Sequence, residues 1–214
     1  MKPACYTGLV NLSDSNHGLS SMTSLDTSVQ IMMIRPSLEG FPTYRIPAPF
    51  SVRWYQPSDE LHWLAMKARA DQFHRAELTY YQQTYGPYAH LLPERQAFLC
   101  DGAGQPIGTA TAWFEDFAGQ QYGKVNWVFI VPEVQGQGLA KPLLSIIGQR
   151  LIALGHTNAL LYTLTARLPA IQLYQHFGFV PCIRHDGDAE AWMHVNHQLR
   201  VPFHTAQYVD KARL

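Results

Sequence analysis

One stretch near the middle of the chain limits the fold more than any other, because an apolar strand there runs through two glycines into a helix. Residues 125–131 are almost continuously apolar and mostly β-branched or aromatic, which is typical of an interior strand. Gly136 and Gly138 follow, and residues 138–154 then carry their leucines and isoleucines at helical spacing. A strand–turn–helix unit of this kind, among further short strands, predicts an α/β or α+β domain.

The start of this helix is also a predicted anion site. The first N–H groups of a helix have no partner within the helix, and the positive end of the helix dipole lies beside them. Gly136 and Gly138 allow the backbone to approach a phosphate closely, and Lys141 adds a cation in the first turn. The sequence therefore predicts a ligand that carries phosphate.

Two common phosphate-binding motifs do not fit the stretch. A dinucleotide fingerprint needs Gly or Ala where Lys141 stands, and an acidic residue at the end of the next strand, where residues 160–164 have none. A Walker A loop needs Gly-x-x-x-x-Gly-Lys followed by Ser or Thr, and the sequence contains no such loop. Neither a dinucleotide nor a nucleoside triphosphate is therefore predicted.

Two segments together resemble the GCN5-related N-acetyltransferase (GNAT) superfamily. Residues 135–140, Gln-Gly-Gln-Gly-Leu-Ala, resemble its coenzyme-A signature Arg/Gln-x-x-Gly-x-Gly/Ala. Residues 170–179 resemble its Ala-x-x-Leu-Tyr-x-x-x-Gly-Phe segment. One predicted helix and one predicted strand separate the two, as in that superfamily. The resemblance is firm over residues 124–184 and extends from Phe50 onward by the order of the elements.

This resemblance implies a fold and a cofactor. The fold is a single α/β (α+β) domain with a mixed, mostly antiparallel sheet, flanked by helices and splayed where acetyl-CoA enters. The backbone of Val128, Phe129 and Ile130 would pair with the pantetheine arm. The pyrophosphate would be held by the turn and the first helical residues, which are Gln135, Gly136, Gln137, Gly138, Leu139, Ala140 and Lys141.

The resemblance also implies the chemistry of direct acetyl transfer to an amine. Tyr174 would be the general acid that protonates the departing thiolate, since a thiol of pKa near 8.5 leaves readily when a proton is supplied. The alternative for Tyr174 is a core aromatic on a short helix. The superfamily often has Asn where this chain has Arg167, and Arg167 is predicted to contact the cofactor, with an acidic acceptor or the sheet edge as alternative partners.

No continuous motif marks the general base or the residues that bind the acceptor. Glu115 and Asp116 end a strand beside the predicted cofactor strand, and Glu115 is the predicted base, with a solvated strand end as the alternative reading. Four tyrosines after the first helix suggest an apolar or aromatic acceptor pocket, or else a packing patch or a homodimer contact. They are Tyr80, Tyr81, Tyr85 and Tyr88.

The amino-acid composition limits the classes of molecule that the protein is expected to bind. The chain has 16 Lys and Arg against 16 Asp and Glu, and no basic cluster, which argues against nucleic acid and favours a small-molecule amine. The ten histidines show no spacing that is suited to metal binding, and no apolar run is long enough to span a membrane. The three cysteines lie far apart, which suits reduced thiols in a cytoplasmic protein. A non-catalytic acyl-CoA sensor and transfer of a longer acyl group remain the alternative functions.

The domain boundaries are predicted from composition. Residues 1–45 would be an extension, with a flexible Ser-rich tail and then a Pro-rich arm. The proline-broken stretch that begins in this arm, residues 31–50, would lie extended along a sheet edge. Residues 46–200 would form the acetyltransferase domain, and residues 201–214 a C-terminal tail. Within the domain, Ser58 would cap a helix that runs to about Phe73, and residues 179–184 and 191–196 would form a final hairpin.

Overall fold

The computed structural model describes residues 28–71 and 77–214 of the 214-residue chain. Eight strands form one sheet in the order β2-β3-β4-β5-β6-β1-β7-β8. They are β1 (Gln30–Arg35), β2 (Ser51–Trp54), β3 (Gln96–Cys100), β4 (Pro106–Phe117), β5 (Gln120–Ile130), β6 (Ala159–Leu164), β7 (Val180–Ile183) and β8 (Val209–Asp210). The helices are α1 (Asp59–Ala70), α2 (Leu78–Tyr85), α3 (Leu92–Arg95), α4 (Ala140–Ala153), α5 (Leu168–His176) and α6 (Asp186–Asn196).

The sheet is mixed and mostly antiparallel, as predicted. Only β5–β6 and β7–β8 pair in parallel among the described strands. The long β4–β5 hairpin lies at its centre with helices on both faces: the Asn126 side chain contacts Tyr85 of α2, whereas Gly123 faces Leu151 of α4. Residues three apart on a strand point to opposite faces, so α2 and α4 lie on opposite sides of the sheet. The predicted α/β (α+β) fold class is confirmed.

The position of β1 corrects the prediction of an edge-lying arm. β1 lies inside the sheet, where Met33 pairs with Leu161 of β6 on one side and with Pro181 of β7 on the other. Residues 31–34 are fully buried. The first proline of the segment is Pro36, which follows the strand, so the prolines end β1 without excluding it from the interior. Residues 36–50 then continue outside the strands of the sheet until Ser51.

The C-terminal part contains a second correction. Residues 191–196 belong to helix α6 and do not form a hairpin with residues 179–184. Asp188, Trp192 and Val195 are the buried residues of α6, and their spacing of three to four residues places them on one helical face. The segment has a buried apolar side, as a strand would, but its period is that of a helix.

Most of the remaining elements agree with the sequence patterns. The interior strand β5 and the helices α4 and α5 are confirmed. Ser58 precedes α1, but its side chain makes no cap hydrogen bond. The segment after Tyr85 forms a 3-10 helix over Gly86–Leu91. The predicted tail up to residue 27 and the predicted helix end near Phe73 lie outside the described residues.

The boundaries at residues 45 and 200 stay predictions. The sheet itself includes β1 and β8, and both strands lie outside those boundaries. β8 pairs with β7, with Val209 opposite Cys182 and Asp210 opposite Ile183. Residues on both sides of the predicted domain therefore contribute strands to its sheet.

A buried ion pair at the start of α6 predicts acid-sensitive stability. Burial of Asp188 acts to raise its pKa, but hydrogen bonds from the Arg184 side chain and backbone outweigh that effect, and the pKa is lowered. A lowered folded-state pKa stabilises the fold above the unfolded value near 4 and ceases to do so as the pH falls through the folded value. We expect Asp188→Asn to destabilise the protein by about 2–3 kcal/mol at pH 7, measured by urea unfolding.

The loss of folding stability caused by Asp188→Asn should become smaller when the same unfolding experiment is performed below pH 4. Asp186→Asn is the matched control, because Asp186 is exposed in the first turn of the same helix. It should cost less than about 1 kcal/mol. If the free energy of unfolding differs between Asp188→Asn and wild type by the same amount at pH 3 and at pH 7, a role for the carboxylate charge is contradicted.

Candidate active site

The central feature of the site is a gap between β5 and β6. These strands pair only at Gly123–Ala159 and Lys124–Leu160, although β5 continues to Ile130 and β6 to Leu164. Beyond these pairs the two parallel strands are no longer paired with each other, and we call this unpaired stretch the β5–β6 cleft. The part of β5 along the cleft includes the predicted cofactor residues Val128, Phe129 and Ile130, the first two half-buried and the third buried. An extended chain is the ligand that suits the backbone of an unpaired strand edge.

A bulge bends β5 at the cleft. The register between β4 and β5 shifts between Thr109 and Thr111, and Trp127 on the opposite strand has φ 51°. A positive φ is rare for a bulky side chain, and bulges of this kind often re-aim side chains next to active sites. The Trp127 ring lies edge-on to Trp63 of α1 and to Tyr80 of α2, with ring centroids 5.3 and 5.2 Å away. The bulge therefore turns Trp127 toward the α1 and α2 face.

The turn after β5 has the geometry of an anion cradle. Gly136 and Gly138 have φ 78° and 76°, and no described heavy atom beyond each glycine and its two chain neighbours lies within 4 Å of where its Cβ would stand. No side chain in the described part of the chain caps α4, which starts directly after Leu139. Gln135 donates a hydrogen bond from Nε2 to the carbonyl of Ile130 at 2.7 Å, which fixes the start of the turn. The open turn and the uncapped helix end fit a pyrophosphate group.

Lys141 lies in the first turn of α4, as predicted, and meets the segment that follows β1. Its ammonium nitrogen is 5.4 Å from the centroid of the Tyr44 ring. The Tyr44 backbone N–H also donates to Ser145 Oγ of α4 at 3.0 Å. The proline-rich segment therefore packs along α4 beside the cradle, although sequence reasoning assigned it no place there.

Tyr174 lies on α5, the helix that follows β6 at the open end of the cleft. Its side chain is buried, with 7% of the residue exposed. Burial raises the pKa of Tyr174 to about 12, and the positive charge of Arg167 acts in the opposite direction. The hydroxyl is therefore protonated at neutral pH and has a proton to donate.

Arg167 is ion-paired at the start of α5. Its Nη2 lies 2.7 Å from Asp71 Oδ1, and Lys67 Nζ lies 2.6 Å from the other carboxylate oxygen. Lys67 belongs to α1, and its side chain is only 1% exposed. Its ammonium lies 4.5 Å from the centroid of the Trp127 ring, a cation–π contact. Neither Lys67 nor Asp71 was predicted, because no sequence pattern relates the end of α1 to the start of α5.

Glu115 lies on the face of the sheet that α2 covers. Its carboxylate accepts hydrogen bonds at 2.6 Å from Lys124 Nζ and from the Tyr162 hydroxyl. Tyr162 is on β6, just beyond the last pair between β5 and β6, so these contacts cross the base of the cleft. Burial is the main cause that raises the pKa of Tyr162, and the hydrogen bond to Glu115 raises it further. Glu115 as the base stays a prediction, with its carboxylate held by two donors.

The four tyrosines of the predicted acceptor pocket divide into two groups. Tyr81 and Tyr85 are core residues, and the Tyr85 hydroxyl hydrogen-bonds Thr111 and Asn126. Tyr88 is half-buried against Trp113, whereas Tyr80 is 47% exposed beside Trp127. Of the four, only Tyr80 therefore presents a large surface to an incoming molecule.

The described part of the chain contains neither a metal cluster nor a membrane-spanning helix. No group of three or more His, Cys, Asp or Glu side chains in the described ranges could hold a metal ion. No helix within those ranges is both long and apolar enough to cross a membrane. Cys100 and Cys182 are free and buried.

Comparison with known proteins agrees with this geometry. The family model described as the acetyltransferase (GNAT) family matches residues 58–179, which contain the cradle, the cleft and Tyr174. The chain therefore belongs to the acetyltransferase (GNAT) family.

Relatives and solved structures extend the comparison. A mycothiol acetyltransferase from Streptomyces coelicolor is 29% identical over 174 residues, which are 76% of this chain and 53% of that protein. One from Streptomyces griseus is 30% identical over 144 residues, 63% of this chain and 44% of that protein. This chain thus spans about half the length of the curated relatives it matches.

The solved structures support the fold alone. A GCN5-related N-acetyltransferase from Sphaerobacter thermophilus superposes with a TM-score of 0.60 at 18% identity, over 71% of this chain and 48% of that one. A GNAT-family acetyltransferase from Colwellia psychrerythraea gives 0.56 at 15% identity, over 72% and 54%. The sheet and its flanking helices are those of the GNAT fold.

Proposed function

We propose that this protein transfers an acetyl group from acetyl-CoA to the amine of a small molecule. The observation that supports this most is that the β5–β6 cleft leads directly into the glycine cradle at the start of α4. An unpaired strand edge can bind an amide-containing arm, and an uncapped helix end can bind the pyrophosphate to which that arm is joined. Acetyl-CoA carries both groups in this order.

Each predicted residue then has a role in this reaction. The backbone of Val128, Phe129 and Ile130 holds the pantetheine arm, and residues 135–141 hold the pyrophosphate. Tyr174 donates its proton to the sulfur as the bond to carbon breaks, and Glu115 takes the proton of the amine, directly or through water. Arg167 is the remaining predicted cofactor contact. Because the two substrates are held side by side, positioning supplies much of the rate.

The acceptor is proposed to approach on the α1 and α2 face. Trp127 and the exposed ring of Tyr80 lie there, next to the bulge that precedes the cofactor residues. Because the relatives are named mycothiol acetyltransferase, the reaction of those enzymes is the first activity to test. A zero net charge also suits a small acceptor better than a strongly basic peptide.

Two measurements test the proposal. Titration calorimetry should detect acetyl-CoA binding at micromolar or lower Kd, with ATP and NAD as phosphate-bearing controls that bind far more weakly. A thiol-release assay should then find turnover in a panel of small amines that includes the acceptor of the mycothiol acetyltransferases. Absence of acetyl-CoA binding would overturn the cofactor assignment. Acetyl-CoA binding without turnover across the whole panel would favour the alternative of a non-catalytic sensor. Faster thiol release from longer acyl-CoA thioesters would mean that the natural donor carries a longer acyl group.

A further inference from the structure

Three charged side chains form a continuous bridge from α1 to α5, and we call them the cleft bridge: Lys67, Asp71 and Arg167. The Asp71 carboxylate joins the other two, with one oxygen 2.6 Å from the lysine nitrogen and the other 2.7 Å from the arginine nitrogen. The side chains of Lys67 and Asp71 are 1% and 7% exposed, so this network is shielded from solvent along most of its length. Charges withdrawn from water in this way require close pairing.

Each end of the cleft bridge contacts an element of the proposed active site. Lys67 lies over the ring of Trp127, the bulge residue immediately before the cofactor segment of β5. Arg167 precedes α5, and its carbonyl accepts the backbone N–H groups of Ala170 and Ile171 in the first turn. The bridge therefore connects the bulge with the helix that carries Tyr174.

The chemistry proposed for Tyr174 creates a charge that this bridge can stabilise. A tyrosine that gives its proton to sulfur becomes an anion, and burial disfavours that anion. The charge of Arg167 acts on Tyr174 in the opposite direction. Arg167 has a long, flexible side chain, so the benefit depends on where the guanidinium is held.

We propose that Asp71 is a positioning residue, which fixes the guanidinium of Arg167 where it stabilises the Tyr174 anion during acetyl transfer. The inference rests on the proposed function. In the step concerned, the amine nitrogen forms a bond to the carbonyl carbon, the carbon–sulfur bond breaks, and its electron pair stays on sulfur. Sulfur takes the proton of Tyr174, the new amide loses its extra proton to Glu115 or water, and Tyr174 regains a proton from water.

A double-mutant cycle tests this role. Asp71→Asn should lower kcat by on the order of tenfold in the wild-type background, the effect of about one pKa unit on a proton donor. In a Tyr174→Phe background the same change should lower kcat less than twofold, because a residue that acts through Tyr174 has nothing left to stabilise. A tenfold loss in both backgrounds would show a merely structural effect and overturn the proposal.

Arg167 variants test the same role without touching Asp71. Arg167→Gln should match Asp71→Asn in kcat, and Arg167→Lys should recover most of the activity because it keeps the charge. If Arg167→Gln instead leaves kcat unchanged and only weakens acetyl-CoA binding tenfold, Arg167 acts on the cofactor alone and the positioning role is wrong. These variants also decide the question if Asp71→Asn does not fold.

Asp59→Asn is the matched control for Asp71→Asn. Asp59 is a buried carboxylate at the other end of α1, ion-paired with Arg53 at 2.6 Å. Its loss should lower thermal stability but leave kcat within twofold of wild type. Absence of turnover by the wild-type protein would overturn the proposed function, and with it the positioning role. If the wild-type protein turns over normally but the effects of Asp71→Asn and Tyr174→Phe on kcat simply add, only the positioning role is overturned.

Discussion

Replacing Tyr174 by Phe should lower kcat for acetyl transfer by on the order of 100-fold, because general acid catalysis commonly contributes factors of 10² to 10⁴. The ring would keep its buried packing beside Phe179, 6.2 Å between centroids, and only the hydroxyl would be lost. The Kd for acetyl-CoA should stay within about threefold of wild type. Thiol release at saturating donor and acceptor, together with calorimetry, separates these two quantities.

Tyr55→Phe is the control for this variant. The Tyr55 hydroxyl donates a hydrogen bond to Glu60 at 3.0 Å, and Tyr55 lies near the start of α1. It should leave kcat within twofold of wild type. Since burial raises the pKa of Tyr174 to about 12, the tyrosine stays protonated across the usual assay range, and the defect of Tyr174→Phe should be similar from pH 6 to pH 9. A Tyr174→Phe enzyme that turns over at the wild-type rate at all these pH values would exclude the general-acid role.

Replacing Gly138 by Ala should weaken acetyl-CoA binding at least tenfold while costing only about 1–2 kcal/mol of folding stability. The left-handed conformation at φ 76° strains any residue with a Cβ, but no described heavy atom lies close enough for the new methyl group to clash. The strain can be relieved if the turn changes conformation, and then the N–H groups at the start of α4 no longer converge on one phosphate. Calorimetry measures the first effect and urea unfolding the second.

Gly155→Ala separates binding from backbone strain. Gly155 has φ 85°, with no described heavy atom within 4 Å of where its Cβ would stand, and it follows the opposite end of α4. The 14-residue helix between the two glycines is about 21 Å long. Gly155→Ala should cost similar stability and leave acetyl-CoA affinity unchanged. Equal affinity losses in both variants would mean that stability, and not the cradle, governs binding.

The sequence was most informative where a local pattern determines local structure. The strand, the two glycines and the helix of residues 125–154 follow from apolar periodicity and turn chemistry, and the structure contains all three. The same logic failed at residues 191–196, where apolar and polar residues alternate enough to suggest a strand. Burial of Trp192 and Val195 on one face of α6 decided the outcome, and that burial depends on the rest of the fold.

The candidate site shows the same division. Residues 135–141 and Tyr174 could be selected because each belongs to a continuous motif. Lys67 and Asp71 could not be selected, because Asp71 pairs with Arg167, 96 positions away in the chain, and only the folded sheet brings α1 and α5 together. The role of Trp127 could not be predicted either, because the apolar pattern of a strand does not show where a bulge lies.

The interior position of β1 has a consequence for the order of folding. The ribosome makes this strand before any other described strand, but both of its neighbours, β6 and β7, are among the last to be synthesised. Its hydrogen-bonding edges therefore have no native partner until β6 and β7 have been made, and the side chains of residues 31–34, fully buried in the fold, lack their native packing until then. Completion of the sheet should be a late, long-range event, in which the first of the described strands to be made is inserted between two that are made more than a hundred residues later.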